Sequence, residues 1–311
     1  MYPIKLKPVF KDYLWGGEKL KTDFHMDTDI SPVAEAWVLS CHPDGESRIE
    51  NGEYAGKTLW ELVQTLGREI LGKNSENEDR FPILIKLIDA RDNLSVQVHP
   101  DDEYALRVEG EPGKTEMWYV MDCEDGAYLY YGFNRDITKE EFGKRIENNT
   151  LLEVLNKVTV KKGDCFLIKA GTLHAIGKGI LIAEIQQNSN TPYRVYDYGR
   201  VDAAGTPRQL HTQKALQFTN TAAMRTEIKD PSDPLLCKSE YFTCELLTVE
   251  AEKTLVADEH SFVSVLVLEG TGTVSAENSS VSFVPGDCFF IPAASGEVRL
   301  QGKARVIITR V

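Results

Sequence analysis

The sequence predicts a mainly β fold of two barrel-like halves with helices added to the first, and three observations carry that prediction. From about Arg225 onward, strand-like runs at 241–249, 262–268, 272–275, 281–284, 288–291 and 305–309 follow one another through Gly-containing turns with little helical periodicity. The segment 162–174, KGDCFLIKAGTLH, returns as 285–297, PGDCFFIPAASGE, sharing Gly-Asp-Cys-Phe and the Ile two residues later, so one structural unit occurs twice. Helical signals are confined to the first part, at about 57–72 and 136–156. Two domains are therefore expected, at 1–225 and 226–311.

Pro3 and Pro8 keep the entry segment from forming a helix, and Trp15-Gly16-Gly17 makes a turn. A strand at 34–40 ends in the turn signal His42-Pro43-Asp44-Gly45. Leu59, Val63, Leu66 and Ile70 then repeat at helical spacing behind Thr58, a candidate N-cap, giving a helix over 57–71. The run 81–88 is an apolar strand interrupted by Lys86, which is either an edge charge or a cation turned into a polar cavity. In 94–99, Leu94, Val96 and Val98 face one way and Ser95, Gln97 and His99 the other, after which Pro100 ends the strand and Asp101 and Asp102 cap a short helix. A strand from near Lys114 presents Glu116, and 127–133 is also a strand. Thr138 to Glu141 has capping-box spacing for a helix through Arg145, with another near 151–155. Strands at 158–168 and 179–187 follow, the latter with Glu184 and Gln186 on one face, and then a polar, aromatic loop, 189–200, containing Arg194 and Arg200.

A single histidine beside a proline reads as an ordinary surface or core residue, and His42 has no partner at ligand spacing. The combination of His99, Glu116 and His174 is different, because each stands at the end of an apolar strand. With Gln97 turned the same way they offer two imidazoles, a carboxylate and an amide, a donor set suited to zinc with a position left for water or substrate. These segments resemble the two halves of the cupin pattern, the later half carried by Gly163, Gly171 and His174, with Lys169 where cupins usually have Pro. In the repeat, Glu297 takes the place of His174 and nothing like Gln97-Val98-His99 occurs near 262–268, so the second barrel is expected to lack a metal.

A net charge of −13 excludes a phosphate-backbone partner, which requires clustered Lys and Arg, while 42% hydrophobic content fits ordinary globular cores. No apolar run approaches a membrane span, and the N-terminal segment lacks the apolar core of a signal peptide, so a cytoplasmic protein is expected. Six cysteines without a CxxC pair suggest reduced structural thiols and no disulfides.

Several motifs in order, FPILIKLIDARDNLSVQVHPDDEYA (81–105), GKTEMWYV (113–120), AGTLHAIGKG (170–179) and EIQQNSNTPYRVYDYGR (184–200), together with YLWGG and AEAWVLS near the N-terminus, resemble the class I mannose-6-phosphate isomerases in their short bacterial form. The resemblance implies two cupin (jelly-roll) β-barrels, one Zn2+ in the first, and reversible conversion of mannose 6-phosphate to fructose 6-phosphate. It places Gln97, His99, Glu116 and His174 at the metal, Arg194 as catalytic, and Lys86, Lys114, Gln97 and Arg194 about the substrate. The insertion 136–156 is too small to be the extra helical subdomain of larger members. Aldose–ketose isomerisation moves a proton between C2 and C1 while negative charge builds on oxygen, which a Lewis acid stabilises as an enediolate. Arg194, always charged, suits the oxyanion or the phosphate. Lys114 shares a strand face with Glu116, where a neighbouring metal charge makes it a candidate proton carrier, and Glu184 is the competing base. The rivals are a metal-dependent cupin oxygenase, an isomerase for another sugar, and a phosphosugar-binding cupin without turnover.

Overall fold

In a computed structural model of the chain, residues 1–76, 78–201, 205–225, 233–276 and 279–311 are described. The fold is mainly β, and its strands group into two compact units: Met1–Tyr13, Glu18–Ile88 and Asp230–Val311 form the first, and Leu14–Gly17 with Asp89–Lys229 the second. The expected division at 225/226 differs from this. The opening residues of the expected second domain, 226–232, lie outside the described residues, and most of the first 88 residues group with the C-terminal strands. The physical reason is long-range pairing. Strand Ile4–Lys7 lies antiparallel to Cys288–Ile291, with Leu6 opposite Cys288, and Phe81 stacks with Phe262 and Phe290 at centroid distances of 5.3 and 6.1 Å.

In the first unit, strands Leu235–Lys238, Thr243–Val249, Gly296–Arg310, Val263–Ala276, Cys288–Ile291, Ile4–Lys7 and Arg48–Ile49 are neighbours in that order. Val263, Val265, Phe289, Ile291, Val306 and Ile308 form the heart of its core. The expected strands 262–268 and 272–275 are one strand, Val263–Ala276, whose pairing with Gly296–Arg310 shifts register between Val267 and Glu269. Gly270 (φ 85°) permits this, since a Cβ there would overlap the Lys303 carbonyl oxygen. Thr58 caps helix Leu59–Leu66 through a complete capping box with Glu61. The helix is shorter than expected because Gly67 (φ 93°) turns the chain, leaving Arg68–Leu71 as a separate 3-10 turn.

In the second unit, Leu155–Thr159, Tyr128–Phe133, His174–Ile176, Val96–Val98 and Tyr193–Tyr196 form one sheet in that order, with Tyr193–Tyr196 as its last strand. Cys165–Ile168 and Ile180–Gln187 flank Glu116–Cys123, both antiparallel to it. Helix Asp102–Val108 is capped by the Asp101 carboxylate accepting from Tyr104 N–H at 2.9 Å, and Lys139–Glu147 by Thr138. Two differences from the sequence reading have local causes. The run 158–168 is broken into two strands by a turn in which Asp164 Oδ2 accepts from Lys161 N–H, and the loop 189–200 contains the strand Tyr193–Tyr196. Among the described residues no ladder closes into a barrel, because alternation in sequence fixes the pleat and not closure. No helix among them is long and apolar enough to cross a membrane. All six cysteines are free thiols.

Candidate metal centre

Three strand termini deliver the centre. His99 follows Val96–Val98, Glu116 opens Glu116–Cys123, and His174 opens His174–Ile176 directly across from Gln97. All three side chains are buried, and their ligand atoms lie within 4.8 Å of one another. His99 Nε2 is 3.1 Å from His174 Nε2 and 3.6 Å from Glu116 Oε2, and His174 Nε2 is 3.4 Å from Glu116 Oε1.

The far side of each ring decides its tautomer. His99 Nδ1 is 3.2 Å from the Thr191 carbonyl and His174 Nδ1 is 2.9 Å from the Thr172 carbonyl, so each Nδ1 carries the proton and donates it. Burial, and next the Lys114 ammonium, push the His174 imidazole down to about 4, so it is neutral near pH 7. The lone pair of the neutral His174 ring therefore faces His99 Nε2 across 3.1 Å beside a carboxylate, an arrangement that a cation among the three would favour. The edge of a zinc tetrahedron with bonds of about 2 Å is roughly 3.3 Å, so the donor set and its spacing fit such an ion. Backbone carbonyls behind both imidazoles are the usual supports for metal-ligating histidines.

Lys114 Nζ donates to Glu116 and lies 3.3 Å from His99 Nε2 and 3.6 Å from Glu184 Oε1. Two buried carboxylates against one ammonium leave a net charge of about −1, which favours a cation in the cluster. Glu184, opposite Trp118 in the ladder, accepts from Trp118 Nε1 at 2.9 Å, and the Trp118 ring meets His174 edge-on at 5.3 Å.

The structure thus brings His99, Lys114, Glu116, His174 and Glu184 into one cluster. Gln97 and Arg194 are joined differently: Gln97 lies opposite both His174 and Arg194, and Ser95 Oγ accepts from Gln97 Nε2 at 3.1 Å and Arg194 Nε at 3.2 Å. Lys86 is buried, which excludes an exposed edge charge. Its ammonium is 3.7 Å from Glu35 Oε2 and 4.9 Å from the centre of the Trp37 ring, and Trp37 Nε1 donates to the same carboxylate at 2.7 Å. Sequence reasoning missed Ser95 and Trp118 as parts of the site, although each shares a strand face with a ligand. It also missed the pairing of Arg200 and Arg208 with Asp197, the first only three residues away in sequence.

The family model for the catalytic domain of type I phosphomannose isomerase matches residues 4–122, and that for the cupin domain of mannose-6-phosphate isomerase matches 235–311. The chain is 39% identical to mannose-6-phosphate isomerase ManA of Bacillus subtilis, covering 99% of both chains, and 36% identical to a mannose-6-phosphate isomerase of Streptococcus mutans, covering 98% of this chain and 97% of that one. The crystal structure of a mannose 6-phosphate isomerase from Bacillus subtilis superposes with a TM-score of 0.91 over the whole of both chains at 36% identity. A mainly β fold, a cupin domain and a buried His-Glu-His cluster define a cupin with a metal-competent centre. The chain belongs to the type I mannose-6-phosphate isomerase family.

Proposed function

We propose that this chain interconverts mannose 6-phosphate and fructose 6-phosphate through an enediolate, with one Zn2+ held by His99, Glu116 and His174 and by Gln97 as an amide ligand. The observation that carries the proposal is the pair of facing Nε2 atoms beside Glu116, with Lys114 and Glu184 close to the same point. A bound zinc supplies Lewis-acid polarisation of the sugar oxygens at C1 and C2. The remaining work falls to side chains. Lys114 and Glu184 are the groups placed to move a proton between C2 and C1, and Arg194 neutralises the oxyanion or the phosphate. Lys86 serves substrate binding as a buried cation.

The repeated turn supports two jelly-roll domains, the first carrying the metal and the second without one. Fructose 6-phosphate formation, followed by a coupled assay before and after chelation, tests the function. Loss of turnover on chelation and recovery with Zn2+ is the expected result. A zinc-loaded protein that binds mannose 6-phosphate without turnover would overturn the enzymatic reading in favour of a phosphosugar sensor. Lys114→Met and Glu184→Gln variants separate the two bases by C2 proton exchange, full exchange in either one removing that residue.

A further inference from the structure

Arg194 stands on Tyr193–Tyr196, the last strand of its sheet, and the register of that strand against Val96–Val98 shifts immediately after Arg194. An edge strand with an irregularity at the functional residue has backbone groups in need of partners. His211, just before helix Thr212–Phe218, supplies both for one residue: its N–H donates to the Arg194 carbonyl at 2.7 Å, and its ring Nδ1 accepts from the Arg194 N–H at 3.2 Å. The guanidinium is held separately, through Nε to Ser95 Oγ and through one terminal nitrogen to the Gln209 carbonyl at 3.2 Å.

We propose that His211 is a positioning residue for Arg194: the neutral imidazole pins the backbone under the guanidinium, and protonation releases it. The inference rests on the role given to Arg194 under the proposed function. Nδ1 accepts only while it lacks a proton, because an imidazolium would set two N–H donors against each other across that 3.2 Å. Every charged neighbour of the ring bears on this. Arg194 and Lys214 oppose its protonation and Glu109 favours it, but Glu109 is already engaged by Lys214 at 2.5 Å and by the Tyr193 hydroxyl. The Tyr193 ring, 5.7 Å away, closes the remaining side. Burial and these cations hold His211 below the usual histidine range, so the clip is closed at neutral pH and opens only at more acid pH.

The test compares kcat and KM between pH 5 and 8 for zinc-loaded wild type, His211→Asn and His211→Ala. An Asn Oδ1 can accept from the same N–H but does not titrate. At pH 8 His211→Asn should keep activity within about threefold, while His211→Ala should lose about tenfold, mainly in kcat, with unchanged zinc content. The ratio of wild-type to His211→Asn activity cancels the titration of the substrate phosphate, and it should fall as the pH drops. A ratio independent of pH would overturn the proposal, and it decides the matter even where His211→Ala fails to fold. An Arg194→Lys variant with full activity would overturn the role of Arg194 and this inference with it. An impaired Arg194→Lys beside an unaffected His211→Ala would overturn this inference alone.

Discussion

The two copies of the repeated turn share hydrogen bonds almost atom for atom and differ in what they point inward. In the first, Gly163 (φ 94°) donates to Val120 O, Val120 N–H donates to Asp164 O, and Asp164 Oδ2 accepts from Lys161 N–H at 2.9 Å. In the second, Gly286 (φ 90°) donates to Val267 O, Val267 N–H donates to Asp287 O, and Asp287 Oδ2 accepts from Val284 N–H at 2.8 Å. The ladders continue in step. Ile168 lies opposite Glu116 and Phe166 opposite Trp118, as Ile291 lies opposite Val263 and Phe289 opposite Val265; Trp118 then faces Glu184 where Val265 faces Ile308. Glu116, Trp118, Glu184 and His174 are thus replaced by Val263, Val265, Ile308 and Glu297. One scaffold holds a polar centre; the other fills three of these positions with apolar side chains that join a continuous core and leaves the fourth, Glu297, exposed. The turn is a structural device, and the chemistry resides in a handful of inward positions laid over it.

Exchanging those positions should break the comparison in opposite ways. Glu116→Val, which makes the first ladder like the second, should remove zinc and lower kcat/KM by more than about 100-fold, measured with metal analysis alongside the coupled assay. Wild-type zinc content in that variant would remove Glu116 from the ligand set. The reverse change, Val263→Glu, places a carboxylate without a cation in an apolar core. It should cost about 3–5 kcal/mol in denaturant unfolding, with little change in turnover by the folded fraction. A loss of stability under about 1 kcal/mol would mean that this interior already tolerates charge.

Titration sharpens the contrast further. His174 has its affinity for protons lowered from 6.5 to about 4, so in metal-free protein the unfolded chain binds the proton first as the pH falls. Stability is fully present above about 6.5 and is lost down to about 4, a change of at most about 3 kcal/mol. Metal-free unfolding curves across that window should show the loss, and His174→Gln should flatten it. The second copy has no histidine at the corresponding position, which is Glu297.

Strand alternation is a local signal, which is why His99 after an apolar strand and Lys114 two residues before Glu116 could be picked out of the sequence as residues that the fold brings together. The repeat was legible for the same reason, since its Gly and Asp are demanded by the turn itself. What could not be read were partners distant in sequence. Ile4–Lys7 joins Cys288–Ile291 through nearly the whole length of the chain, and nothing in either segment names the other. Lys86 finds Glu35 and Trp37, and Arg194 finds His211, only after the sheets exist. Helix 57–71 was read too long because apolar spacing continues through Gly67, whereas the backbone turns there.

The smallest predicted effect tests whether the two turns are equivalent as scaffolding. Asp164→Ala and Asp287→Ala each remove one carboxylate that accepts a backbone N–H, a loss of about 1 kcal/mol. Asp287, however, also pairs with Lys5 at 2.8 Å, and both side chains are mostly shielded from water. Lys5 belongs to the strand that pairs with Cys288–Ile291, so this ion pair ties the second turn to the segment that completes its sheet. The Asp287 variant should therefore lose a further few tenths to 1 kcal/mol. Lys5 keeps Glu50 at 3.8 Å as a weaker partner, which places the difference toward the lower figure. A double-mutant cycle between Asp287→Ala and Lys5→Met would isolate that coupling, and raising the ionic strength should shrink it. Equal losses at Asp164 and Asp287, with no coupling to Lys5, would mean that the N-terminal strand is held by its ladder and apolar contacts alone.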